Sequence, residues 1–132
     1  MDISSIELPG SEVESILVEQ DQVVLRFSRT NIVKTMTGST ERTKWRQAGK
    51  LIFEGAIVTG EPPECPAICE GGDVGENIYT YRDMIQIPLQ GKGPAHCDLR
   101  FEGTERRLVV HADSVKLEME DRPRYVEHIR PQ

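Results

Sequence analysis

Basic residues are missing from two long stretches of this chain: none occurs in residues 1–20 and none in residues 51–81. Long apolar runs are missing as well, and the first twenty residues offer nothing longer than Ile16-Leu17-Val18. A secretory signal needs a basic start and an apolar stretch of about 7–15 residues, so none is expected. No run approaches the roughly 18 apolar residues of a membrane span, so no membrane partner is expected either. Cysteine is scarce and odd in number: Cys65, Cys69 and Cys97 cannot all pair within the chain. An odd count without a signal fits a reducing interior better than a disulfide framework, and the expected location is cytoplasmic. Aromatic residues make up only 5% and do not interleave with cations as a base-stacking platform requires.

What remains is ordinary globular material. The 132 residues are 37% hydrophobic and 29% charged, which suits one domain and argues against wholesale disorder. Sixteen bases against twenty-two acids leave −6. Phosphate neutralisation supplies most nucleic-acid affinity, so that balance excludes nucleic acid as a general partner. The excess is local. Residues 1–50 carry seven bases and seven acids, whereas residues 51–100 carry three bases and eight acids.

The dominant period is two. Val23, Leu25 and Phe27 alternate with Val24, Arg26 and Ser28, and Val115, Leu117 and Met119 alternate with Lys116, Glu118 and Glu120. Cys97, Leu99 and Phe101 repeat the pattern. Such alternation sets one row of side chains on a buried sheet face and the other in water. Strands are expected near 12–19, 23–28, 31–37, 43–47, 50–58, 83–89, 96–102, 106–111, 114–120 and 124–129. The 40–48 stretch also admits a short helix capped by Thr40, with strand preferred. Short strands with turn residues between them point to an all-β, single-domain antiparallel β-sandwich or flattened barrel of about 8–10 strands spanning 1–132. The succession of short strands is similar to that of small bacterial β-domains, and no motif carries residues over.

Residues 61–77 break the period. Pro62, Pro63, Pro66, Gly71, Gly72 and Gly75 make this a long irregular loop, placed at about 60–80, and such loops are often functional. It is acidic, and Glu64, Glu70, Asp73 and Glu76, with Tyr79 and Tyr81 after them, form the candidate partner-binding set. Glu70, Asp73, Glu76 and Asn77, closely spaced around glycines, also offer oxygen ligands for calcium, but the EF-hand order is absent. The Cys65-x3-Cys69 pair lacks a second pair to complete zinc's four ligands, and Cys97 reads as core, so no metal or other cofactor is expected.

Upstream, Arg42, Lys44 and Arg46 share one strand face opposite Trp45. That face reads either as an anion- or partner-binding surface or as an exposed strand whose cations discourage edge pairing. Catalytic signatures are weak. The glycines of residues 55–60 are spaced like a phosphate loop, but Glu61 stands where lysine is needed. His111 with Asp113, and His96 with Asp98, place a carboxylate two residues from an imidazole, as a base and its orienter require. No catalytic residue is assigned. The expected function is a noncatalytic binding or interaction module that meets a protein partner through the acidic loop. The alternative is a small-ligand-binding or metal-assisted enzyme near His111 and Asp113 or the cysteines. A homodimer through sheet edges is compatible with either.

Overall fold

Where polar and apolar side chains alternate, the chain forms strand, and the structure, a computed structural model describing residues 3–36, 38 and 40–129, contains eleven. They are β1 Ile3–Val18, β2 Gln22–Thr35, β3 Arg42–Glu54, β4 Ile57–Thr59, β5 Ala67–Glu76 and β6 Tyr79–Arg82. Then come β7 Met84–Ile87, β8 Gln90–Gly91, β9 Ala95–Phe101, β10 Arg107–Ala112 and β11 Ser114–Ile129. Among the described residues there is no helix, and hence none long and apolar enough to cross a membrane.

The strands do not divide into two packed sheets. They form one antiparallel sheet in the order β4-β10-β9-β5-β1-β2-β3-β11-β8, with β6 added to β5 and β7 to β1. The sheet curls without closing, a half-barrel rather than the expected sandwich. Its concave face holds the core, where Phe27, Phe53, Phe101, Leu25, Leu51 and Leu99 are fully buried. Cross-strand rows lead through it: Val23, Phe53 and Val115 are register partners, as are Leu25, Leu51 and Leu117. A Leu or Phe buried this way contributes about 1.5–3 kcal/mol, so the rows anchor the curl.

Three of these strands, β1, β2 and β11, carry extra residues along one line. Glu7 faces Asn31 and Glu12 faces Arg29, so β1 takes five steps where β2 takes two. On β2, Phe27 faces Gly49 and Thr30 faces Gln47, three steps against two. On β11, Glu120 faces Ala48 and Arg124 faces Arg46, four steps against two. Extra residues in a strand kink it and increase its twist, and bulges aligned on neighbouring strands make a crease. Side-chain bonds hold this one. The buried Ser11 hydroxyl donates to the Glu7 carbonyl (2.7 Å) and accepts from the Asn31 amide (3.0 Å). Asn31 Nδ2 donates to Pro9 O, Thr30 Oγ1 to Gln47 O, and Gln47 Nε2 to Asp121 O. Gly10, with φ of 84°, sits against the Asn31 amide, where a Cβ would lie 2.8 Å from Nδ2.

The crease divides the sheet into a body and a wing. Before it, β1 pairs β7 on its outer side; after it, β1 pairs β5. In the wing, Ile85, Ile6, Ile32, Trp45 and Tyr125 form one row across five strands on the core face. Burial decreases along that row, from fully buried Ile6 to Tyr125 at 55% exposed. Trp45 meets Tyr125 edge-on at 5.4 Å and lies under the Lys34 ammonium at 4.3 Å.

Several expected boundaries move for this reason. The strands placed at 23–28 and 31–37 are one, as are those at 114–120 and 124–129, and most of 43–47 and 50–58 is β3. Thr37 itself lies outside the described residues. The breaks expected near 29–30 and 121–123 are bulges, whereas β3 runs through Ala48 and Gly49 without an extra residue. The irregular loop expected at about 60–80 is also largely strand, because 67–76 is β5, a central strand of the sheet.

Candidate functional site

The six acidic and aromatic candidates occupy different surroundings. Glu64 lines a cleft of about 760 Å³ together with Glu12, Glu102 and Arg106, the last paired with Glu61 at 3.6 Å. Glu70 is exposed at a bulge where β5 passes β9. Asp73 is half-buried and bound to Arg82 at 3.3 Å. Glu76 lies three residues further on, hence on the other side of the strand, packed over Gly91 of β8 where no Cβ would fit. Tyr79 is exposed, whereas Tyr81 packs on the core and donates its hydroxyl to Gln86 at 3.3 Å. Asp73 and Glu76 therefore do not share a face, and the set is not one continuous surface.

The imidazole and thiol candidates are likewise dispersed. His111 and His96 are register partners on β10 and β9, stacked 6.4 Å apart. Gly75 lies beside His96 on β5, and a side chain there would overlap the ring. No hydrogen bond joins His111 to Asp113 among the described residues; the Asp113 carboxylate lies against Gly55. The Asp98 carboxylate accepts from Arg107 at 2.9 Å rather than from His96. Among the described residues no group of three or more His, Cys, Asp or Glu is arranged to hold a metal ion.

Cys65, Cys69 and Cys97 are unpaired, the last two buried in the core. Burial pushes the Cys69 thiol up to about 11 and raises Cys97 further, so neither supplies a thiolate nucleophile at neutral pH. The sign for stability follows. The folded chain keeps protons that the unfolded chain loses above 9.0, so these thiols cost nothing below that value. Chemical denaturation at a series of pH values should show stability declining as pH rises from 9.0 toward 11. Replacing Cys97 by alanine should flatten that decline.

The arrangement that does gather charge is basic. Arg26, Arg82, Arg100, Arg106 and Arg107 each stand within 4 Å of a carboxylate, four of them in the body and Arg82 on β6. Arg29, Arg42, Arg46, Arg122 and Arg124 form no ion pair among the described residues, and all five lie on the crease or the wing. Register partners place Arg46 beside Arg124 on the outer face, with Arg42 and Lys44 at alternate positions of the same strand. β3 runs between β2 and β11, so its cations do not guard an edge. Arg29, Arg46, Arg122 and Arg124 line a concavity of about 330 Å³ with Gln47 and Asp121.

Of this group only Arg42, Lys44 and Arg46 stand out in the sequence, being evenly spaced. Arg29, Arg122 and Arg124 lie at the bulges, whose extra residues hide the shared face. The one available signal is that Ser28-Arg29 and the Asp121-Arg122-Pro123 break interrupt two good strand patterns with cations.

No family model, no curated protein and no solved structure matches the chain.

Proposed function

We propose that the protein is a noncatalytic binding module whose recognition surface is the basic crease and the outer face of the wing. The partner this surface suits is an acidic protein surface. One observation carries the reading: of the ten described arginines five stand within 4 Å of a carboxylate and five do not, and four of those five line one concavity at the crease, with Arg42 further along β3. Leaving guanidinium groups side by side without counter-charges costs self-repulsion, which an anionic partner relieves. Arginine is also the cation best suited to interfaces, because its planar fork binds carboxylates in two bonds at once.

The interaction role is thereby placed on the crease, whose lining arginines form no ion pair among the described residues, rather than on the acidic stretch around Asp73, whose charge is partly compensated by Arg82. It is tested by affinity capture from the native host with two charge-reversed variants beside the unmodified chain. Arg46→Glu with Arg124→Glu should abolish retention of the captured protein, identified by mass spectrometry. Glu64→Lys with Glu70→Lys should leave retention intact. The opposite pattern would restore the acidic stretch as the binding surface and end this proposal. Circular dichroism on both variants checks that the exposed substitutions leave the sheet folded.

A further inference from the structure

Within the basic surface one spot is built more closely than the rest. The concavity at the crease is bounded by the bulges of β2 and β11, which carry Arg29 on one side and Arg122 and Arg124 on the other, with Arg46 of β3 between. Arg29 does not swing freely. Its Nη2 donates to the carbonyl of Gly10 at 3.0 Å, on the bulge of β1. Its Nε is buried and has no hydrogen-bond partner in the protein. Buried donors are almost always satisfied, so this anchored guanidinium carries hydrogen-bonding capacity that the chain itself leaves unused.

The lining fixes the chemistry of an acceptor suited to this spot. Four arginines and one acid, Asp121, line it, so the balance of charge favours an anion of more than one charge. A carboxylate has two oxygens and fully engages about one arginine fork, whereas a phosphoryl group offers three oxygens and nearly two charges to several forks at once. We infer that the crease is a site for a phosphoryl oxyanion, carried on a small molecule or on a modified side chain of the partner. The inference rests on the reading of crease and wing as the recognition surface, and deepens it by naming the group recognised.

Titration of the intact protein with inorganic phosphate at constant ionic strength tests it, followed through the arginine Nε–H resonances. Arg29 Nε should shift saturably, and O-phosphoserine should reproduce the shift while glutamate and chloride do not. If phosphoserine alone shifts it, the group is recognised on a modified side chain; if phosphate suffices, a free or small-molecule source is enough. Arg122→Gln and Arg124→Gln, both exposed, should each weaken phosphate about tenfold, the effect of losing one charge-assisted bond. No saturable shift, an equal response to chloride, or undiminished affinity in the double variant would overturn the site. Capture of the protein partner, measured on the same variants, separates the two claims. Capture lost without any phosphate response refutes the oxyanion site and leaves the module. A phosphate response with capture undiminished refutes the module's surface and leaves the site.

Discussion

Replacing Gly72 by alanine should destabilise the protein by ~3 kcal/mol or more, read as a lowered midpoint in urea denaturation. The residue has φ of 139°, a conformation that side chains rarely adopt, and it lies in the middle of β5 rather than in a turn. A Cβ there would run into the backbone of β9 at the Asp98 carbonyl, with the Leu99 Cα at 2.8 Å. Neither is the flexible end of a side chain, so the two strands would have to separate. The Gly72 amide also accepts no substitute geometry easily, since it donates to the Asp83 carboxylate at 2.9 Å while its carbonyl accepts from the Asp83 amide. Gly103 supplies the control. Its φ is 74°, but nothing lies within 4 Å of its missing side chain, so Gly103→Ala should cost only the backbone strain of about 1–2 kcal/mol. Equal losses at the two positions would show that Gly72 is not packed against β9.

Removal of the Ser11 hydroxyl should be nearly as costly and should have a functional echo. Ser11→Ala leaves the buried Asn31 amide without its acceptor and the Glu7 carbonyl without a donor. An unsatisfied buried group of this kind costs about 1–3 kcal/mol, so a loss near 2 kcal/mol is expected in the same denaturation experiment. The exposed Ser28 hydroxyl, which donates to Glu12 at 2.6 Å, lies on the same crease, and Ser28→Ala should change stability by under about 0.5 kcal/mol. The further expectation concerns the β1 bulge, which carries both Ser11 and the Gly10 carbonyl that anchors Arg29. Loosening it should weaken anion binding at the crease even though Ser11 lies outside the concavity. Stability lost with anion affinity intact would mean that the bulge does not position Arg29.

These two residues also show why part of the fold was legible in the sequence and part was not. Alternation identifies a strand wherever one face is buried, which is why Val23–Leu25–Phe27 and Val115–Leu117–Met119 are readable; Val23, Leu25, Phe27 and Val115 end in the core, with Leu117 and Met119 half-buried against it. Alternation fails where the backbone itself is the packing surface. Gly71 and Gly72 have no side chains to alternate, and they serve a central strand by letting β9 approach, so a stretch of glycine and acid looked like loop. Bulges mislead in a second way. The residues that tolerate a kink, such as Asp121 with its φ of 59° followed by Arg122 and Pro123, are those that also make turns, so one strand was divided into two.

The pairing of charges was hidden in the sequence for a related reason. Net charge pointed to the acidic middle of the chain, but composition does not reveal which charges are answered by neighbours. Asp73 is answered by Arg82 and Asp98 by Arg107, pairs that form only once β6 and β10 are in register with β5 and β9. Conversely, Arg46 and Arg124 are 78 residues apart in number and become neighbours only through the β3–β11 pairing. A cluster assembled from long-range pairing has no short motif to announce it. Enough of it was visible in the spacing of Arg42, Lys44 and Arg46 to suggest a basic face, but not its extent.

Hydrogen exchange bears most directly on the central claim that the crease and wing form the recognition surface. Amides of the intact protein would be compared alone and with the partner recovered by capture. The account predicts slowed exchange at residues 28–31, 42–48 and 120–126, with residues 61–81 unchanged. Slowing confined to residues 61–81, with the crease unaffected, would contradict it.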